Sequence, residues 1–203
     1  MSGAAVFCYH DFVTDPAVRA AIPAAHRPYV LTEGELAAHL AALDRPAYRA
    51  SRLADVVREP AAGRFVLSFD DGHVSNHRVA YPLLAARGWS GCFFIIAGQV
   101  GAADNMDWPQ LRELADGGME IGSHSLTHPF MHDLDAAGVR HEFGESKRAI
   151  EERLRQPVRT ASLPRGWEPP QFEAVLRELG YRVFCTSRVG WWYPGGRALA
   201  MPR

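Results

Sequence analysis

The chain has 203 residues, enough for one domain with a substantial core, and its 47% hydrophobic and 22% charged residues are ordinary for a globular protein. A formal net charge of −1 supplies no basic field, which argues against nucleic acid or an anionic membrane surface as a main partner. No run approaches the roughly 20 apolar residues of a spanning helix, and the opening residues carry neither a positive n-region nor a cleavage-site pattern, so no signal peptide is expected.

Taken in chain order, apolar runs that read as strands cover Ala4–Tyr9, Arg64–Phe69, Gly91–Ala97, Met119–Gly122, Val158–Leu163 and Tyr181–Thr186. Helical patterns fall between them at 32–43, 51–58, 74–87, 108–117, 135–155 and 169–179. Thr32 and Glu35 have capping-box spacing ahead of Leu36, Leu40 and Leu43. Asp107 suits an N-cap with Pro109 in the first turn and Gln110 three residues on. Asp135 can cap the helix whose Val139, Phe143, Ile150 and Leu154 form an apolar stripe. Gly88 and Gly180 stand where helices should stop. No repeat or linker interrupts the pattern, so residues 1–203 read as a single domain. Parallel β-α units of this kind make either an open doubly wound sheet or a barrel, and periodicity does not choose between them. In both, functional groups gather at the C-terminal ends of strands. Cys8, Cys92 and Cys185 each sit in an apolar run. An odd, scattered set reads as small buried hydrophobes and points to a reducing compartment, with the cytoplasm as the default.

Two short segments carry chemistry. Asp70-Asp71-Gly72 ends a strand, where Gly72 lets the backbone bend so that adjacent carboxylates project into one cavity. A cation on one leaves the other free as a base. Alone, Asp-Asp-Gly is equally a turn. His124-Ser125-Leu126-Thr127-His128 follows another strand, and a spacing of four puts two imidazoles on one side of a helical turn, an arrangement that chelates zinc. An isolated pair is as readily a surface or capping pair. Together the segments offer two nitrogens and one oxygen, the three protein ligands of a catalytic zinc site with an open position.

These residues resemble the first two motifs of the polysaccharide deacetylase family (the NodB homology domain, carbohydrate esterase family 4). Tyr9-His10-Asp11, Ala80-Tyr81-Pro82-Leu83-Leu84 and Cys92-Phe93-Phe94-Ile95 extend the resemblance over nearly the whole chain. It implies a distorted β/α barrel with fewer than eight strands and hydrolysis of N-acetyl groups on sugars. It further implies that Asp71, His124 and His128 bind a divalent metal, zinc before cobalt or nickel, and that Asp70 is the base. The third family motif falls on Ser162-Leu163-Pro164-Arg165-Gly166. There Ser162 replaces the arginine that usually braces the base. Arg165 is the candidate to brace it from a new direction or to line the oxyanion site with its backbone N–H. The closing Leu-x-His motif, which brings the family's general acid, has no counterpart in Ala198–Arg203, and His10 at the end of the first strand is the best substitute. Trp167 and Trp191-Trp192-Tyr193 could stack on sugar rings, whereas Trp108 should be core. His26, His39, His132 and His141 read as surface residues, and His73 and His77 as residues of a helix face.

The expected reaction is therefore metal-assisted amide hydrolysis of an N-acetylated carbohydrate. The rivals are a catalytically impaired sugar- and metal-binding homologue and a hydrolase of a small non-sugar amide. Retention of Asp70 favours an enzyme, since metal binding needs Asp71 but only catalysis needs the second carboxylate. Which glycan is the substrate does not follow from these residues, and oligomeric state, a homo-oligomer included, stays open.

Overall fold

The computed structural model describes residues 3–59, 62–166, 168–193 and 200–203. Its elements in order are β1 (Ala5–Tyr9), β2 (Asp11–Val13), α1 (Pro16–Ala21), β3 (Val30–Thr32), α2 (Glu33–Leu43), β4 (Arg49–Ala50), α3 (Leu53–Arg58), β5 (Arg64–Phe69), α4 (Tyr81–Ala85), β6 (Cys92–Ile95), α5 (Trp108–Asp116), β7 (Glu120–Ser123), α6 (Ala136–Leu154), β8 (Thr160–Ser162), α7 (Phe172–Glu178), β9 (Val183–Cys185) and β10 (Ala200–Met201). The main sheet is parallel and runs β1-β5-β6-β7-β8-β9-β10, with β4 paired beside β5. It curls into a nearly closed barrel of seven strands, which decides the question that periodicity left open.

Strand alternation sorts the apolar residues into two groups. Val6, Val66, Cys92, Phe94, Val183, Cys185 and Met201 fill the inside of the barrel, where Leu53 and Val56 of α3 and the buried Trp192 join them. Phe65, Leu67, Phe69, Phe93 and Ile95 point outward and pack with the helices through Leu36, Leu84, Leu111, Phe143 and Phe172. Between β1 and β10 no ladder forms among the described residues. That side is spanned by the reciprocal backbone bonds of Ala4 and Trp192, 2.9 and 3.1 Å.

Local capping follows the sequence. Thr32/Glu35 and Asp107/Gln110 both form complete capping boxes, and Asp135 accepts from the Gly138 N–H. The expected helix at 74–87 departs from the pattern. Residues Asn76–Ala80 make a π turn, with the Tyr81 N–H reaching back to the Asn76 carbonyl, before α4 begins. Pro82 lacks the N–H that an unbroken α ladder needs, so the chain widens just ahead of it. The small β2–β3 sheet was not expected either. No described helix is long and apolar enough to cross a membrane.

Candidate active site

The site begins where β5 ends. Phe69 is stacked between Tyr9 and Phe93, with ring centroids 5.4 and 4.6 Å away, and the Asp70 N–H continues the strand by donating to the Tyr9 carbonyl at 2.9 Å. The chain then turns through two successive left-handed residues, Asp71 (φ 70°) and Gly72 (φ 76°). A side chain at Gly72 would meet Ile95 at 3.2 Å as well as the unfavourable φ. Holding Asp71 in this region costs about 1–3 kcal/mol, the kind of strain that collects at functional sites. The result is two adjacent carboxylates turned into one space.

β7 delivers the imidazoles. The His124 N–H donates to the Ile95 carbonyl at 2.8 Å. Its ring Nδ1 lies 2.9 Å from the Ser162 carbonyl, an acceptor, so Nδ1 carries a proton and Nε2 is the atom turned to Asp71 Oδ1, at 3.3 Å. His128 Nε2 lies 3.6 Å from the same oxygen. The expected helical turn is absent: 124–128 is a loop with Ser125 and His128 both left-handed (φ 68° and 62°). A strained loop, rather than helical periodicity, brings the two rings to 4.8 Å.

The three donor atoms lie within 4.8 Å of one another. Donors about 2.0–2.1 Å from a tetrahedral ion stand roughly 3.3 Å apart, close to the 3.3 and 3.6 Å found here. Two nitrogens and a carboxylate oxygen, with one imidazole already oriented from behind, fit a zinc-like ion. A second trio, Cys8, His10 and Asp70, is equally close but does not fit one. Its carboxylate is already paired, and burial, reinforced by Asp70, pushes the Cys8 thiol far above its usual range.

Asp70 is 1% exposed. Arg203 grips it with both arms of its guanidinium, Nη1 donating to Oδ1 at 2.8 Å and Nη2 to Oδ2 at 2.5 Å, while the Ser162 hydroxyl donates to Oδ2 at 2.9 Å. Burial opposes ionisation, yet the charges of Arg203 and His124 prevail and hold the carboxyl well below the ordinary carboxylate range. The unfolded chain takes up this proton near pH 3.9 and the folded chain only at lower pH. The pair's contribution is therefore present above that value and lost as pH falls through the window beneath it. Urea unfolding between pH 5 and pH 2 should show the parent losing stability more steeply than Asp70→Asn.

Arg203 is the residue that reading the sequence missed. Ser162 in place of the usual arginine signals that a buried carboxylate must find its counter-charge elsewhere, without saying where. The bracing expected of Arg165 is taken by Arg203. Arg165 is exposed, left-handed at φ 57°, and stacks its guanidinium 3.9 Å over the Phe130 ring, on the His128 side of the site.

The family model for polysaccharide deacetylases matches residues 58–184. The chain belongs to the polysaccharide deacetylase family. YxkH of Bacillus subtilis (strain 168), whose name places it among polysaccharide deacetylases, is 26% identical over 133 residues, which cover 66% of this chain and 48% of that protein. Chitin deacetylase 2 of Cryptococcus neoformans var. neoformans (strain B-3501A) is 30% identical over 118 residues, 58% of this chain and 23% of its own length. The chain thus spans about half and about a quarter of these curated relatives. The structure of the Streptococcus pyogenes deacetylase PplD in complex with acetate superposes with a TM-score of 0.89, covering 99% of this chain and 91% of that one. At 21% identity that likeness speaks for the fold.

The family match contains Asp70, Asp71, His124, His128, Ser162 and Arg165, while His10 and Arg203 lie outside it. His10 stands beside Asp70 at the end of β1, with a ring nitrogen within 4.8 Å of that carboxylate. Its carbonyl accepts from Asn76 Nδ2 at 2.6 Å, and its ring meets Tyr29 edge-on at 5.0 Å. Burial lowers its pKa against the pull of the two aspartates, favouring the neutral imidazole. A cavity of about 290 Å³ lined by Cys8, His10, Tyr29 and His39 adjoins it. A further cavity of about 300 Å³, bounded by Glu120, Arg159 and Arg182, opens at the opposite ends of the strands and holds none of these residues. Of the aromatics expected to stack on sugar, Trp192 is buried at the foot of the barrel, Trp191 and Tyr193 are exposed, and Trp167 lies outside the described residues.

Proposed function

We propose that the chain is a single catalytic domain acting as a metal-dependent carbohydrate N-deacetylase. The observation that carries this reading is the division of labour between neighbouring carboxylates. Asp71 faces two imidazoles, while Asp70 is held apart by Arg203 and Ser162. Asp71, His124 and His128 would hold a divalent ion, zinc before cobalt or nickel. Such an ion supplies Lewis acidity, polarising an amide carbonyl and lowering the pKa of water from about 15.7 towards about 7.

Asp70, kept ionised and aimed by its two partners, takes the proton of the attacking water. The water oxygen bonds to the acetyl carbon, the C–N bond breaks, and acetate and a free amino sugar leave. The backbone N–H of Arg165, in the Pro164–Gly166 turn, is the candidate to steady the developing oxyanion. His10, beside Asp70, is the candidate to pass the proton to the leaving amine. An N-acetylated carbohydrate is the substrate class, in keeping with the family and with chitin deacetylase among its relatives. The free Cys8, Cys92 and Cys185 favour a reducing compartment, and we place the protein in the cytoplasm.

Metal analysis combined with acetate release from a panel of N-acetylated glycans tests this reading. The parent should carry about one equivalent of metal, lose activity to a chelator and regain it with zinc, cobalt or nickel. His124→Ala should lose metal and activity together. A parent that releases acetate equally well after complete metal removal would overturn the proposal.

A further inference from the structure

We infer that Glu142 is the positioning residue that sets the spacing of the two imidazoles and thereby the metal affinity of the centre, an inference that rests on reading Asp71, His124 and His128 as a metal site. Glu142 belongs to α6 and touches no ligand atom. Its carboxylate reaches the loop between the two histidines, where Oε2 accepts from the N–H groups of Leu126 and Thr127, both at 2.9 Å, and Oε1 accepts from the Thr127 hydroxyl at 2.8 Å. It is 8% exposed, and no ion pair of Glu142 occurs among the described residues. A buried carboxylate without a cation is a costly way to fill space. It suits a loop that presents three convergent donors and no acceptor.

The two ligands depend on this loop unequally. His124 is fixed from behind by the strand, through its N–H on Ile95 and its ring on Ser162. From the strand side His128 is reached through Ser125, Leu126 and Thr127, and its own N–H hangs on the Ser125 hydroxyl at 2.9 Å. One helical turn beyond Glu142, on the same face of α6, Ser146 meets the Ser123 hydroxyl at 2.7 Å, and that hydroxyl in turn accepts the Ser125 N–H at 3.2 Å. Ser125 and His128 are both left-handed, so the free loop would relax away from this shape. On its other side the loop receives the Ala97 and Gly98 N–H groups on its carbonyls. Glu142 supplies the complementary acceptor and closes the vice on His128.

The test compares the full-length parent with Glu142→Met, which keeps the length of the side chain but offers no acceptor to the two loop N–H groups or the Thr127 hydroxyl. Zinc affinity is measured by competition with a chromophoric chelator at a temperature where circular dichroism shows both proteins folded. We expect Glu142→Met to bind zinc about tenfold more weakly, the low end of what losing an outer partner costs, because Glu142 acts on the loop one step behind the ligand. The visible spectrum of the cobalt-loaded form should also change as His128 is displaced, a signature that a merely destabilised protein would not give. Affinity within twofold of the parent together with an unchanged cobalt spectrum overturns the inference. A parent that takes up no metal overturns the underlying reading and this inference with it. Should Glu142→Met not fold, Thr127→Val removes the hydroxyl contact alone. It should weaken zinc binding about two- to tenfold, and an unchanged affinity there overturns the inference equally.

Discussion

Asp70→Asn is expected to lower the rate of deacetylation by about 10²–10⁴-fold, the range set by loss of a general base, while the metal content stays that of the parent. Asparagine keeps the shape of the side chain and one acceptor oxygen but cannot receive the proton of the attacking water. The three ligand atoms on Asp71, His124 and His128 are untouched by the change. Arg203, with its side chain 4% exposed, is left facing a neutral amide, so some thermal stability goes as well. For that reason activity is compared below the melting transition and at measured metal occupancy. A fully metallated, folded Asp70→Asn protein working within tenfold of the parent would remove Asp70 from the role of base.

Arg203→Met should cost about 3–5 kcal/mol of folding stability, because breaking a buried pair strands the surviving charge. For a chain of this size that is roughly 6–20 °C in melting temperature. Both partners are almost fully enclosed, and the forked geometry at 2.8 and 2.5 Å leaves Asp70 no equivalent donor nearby. Arg203→Lys keeps the charge but not the fork and should recover only part of the loss. The double variant Asp70→Asn with Arg203→Met removes both charges together, so it should melt well above Arg203→Met alone while remaining inactive. Calorimetry on the four proteins settles the matter. If Arg203→Met melts within about 2 °C of the parent, a shift of under 1 kcal/mol at this size, the pair is not the strut described.

Much of this was legible because burial leaves a strong trace in sequence. The run Phe65–Phe69, with carboxylates and a glycine at its end, could hardly be other than a strand feeding a polar turn, and it is β5. The capping residues of α2, α5 and α6 are local chemistry read over three positions. What escaped is either too short or too distant. Asp11–Val13 and Val30–Thr32 are three residues each, below the length at which alternation can be recognised. The i, i+4 spacing of His124 and His128 suggested a helical turn, yet the spacing is only a count, and two left-handed residues realise it in a loop. Arg203 is 133 positions from Asp70, and a long-range ion pair has no period for a sequence to display.

Among the described residues the barrel has one side with no ladder, between β1 and β10, and the side chain anchored there is Arg203, carried just past β10 and holding Asp70 at the end of the strand that is its neighbour but one. One bond therefore serves two masters. By reciprocity, whatever neutralises or occupies Asp70 must slacken the final stave, and whatever pulls β10 away must raise the proton affinity of Asp70. In the proposed role of Asp70 as base, each proton it accepts would loosen this seam in step with the chemistry.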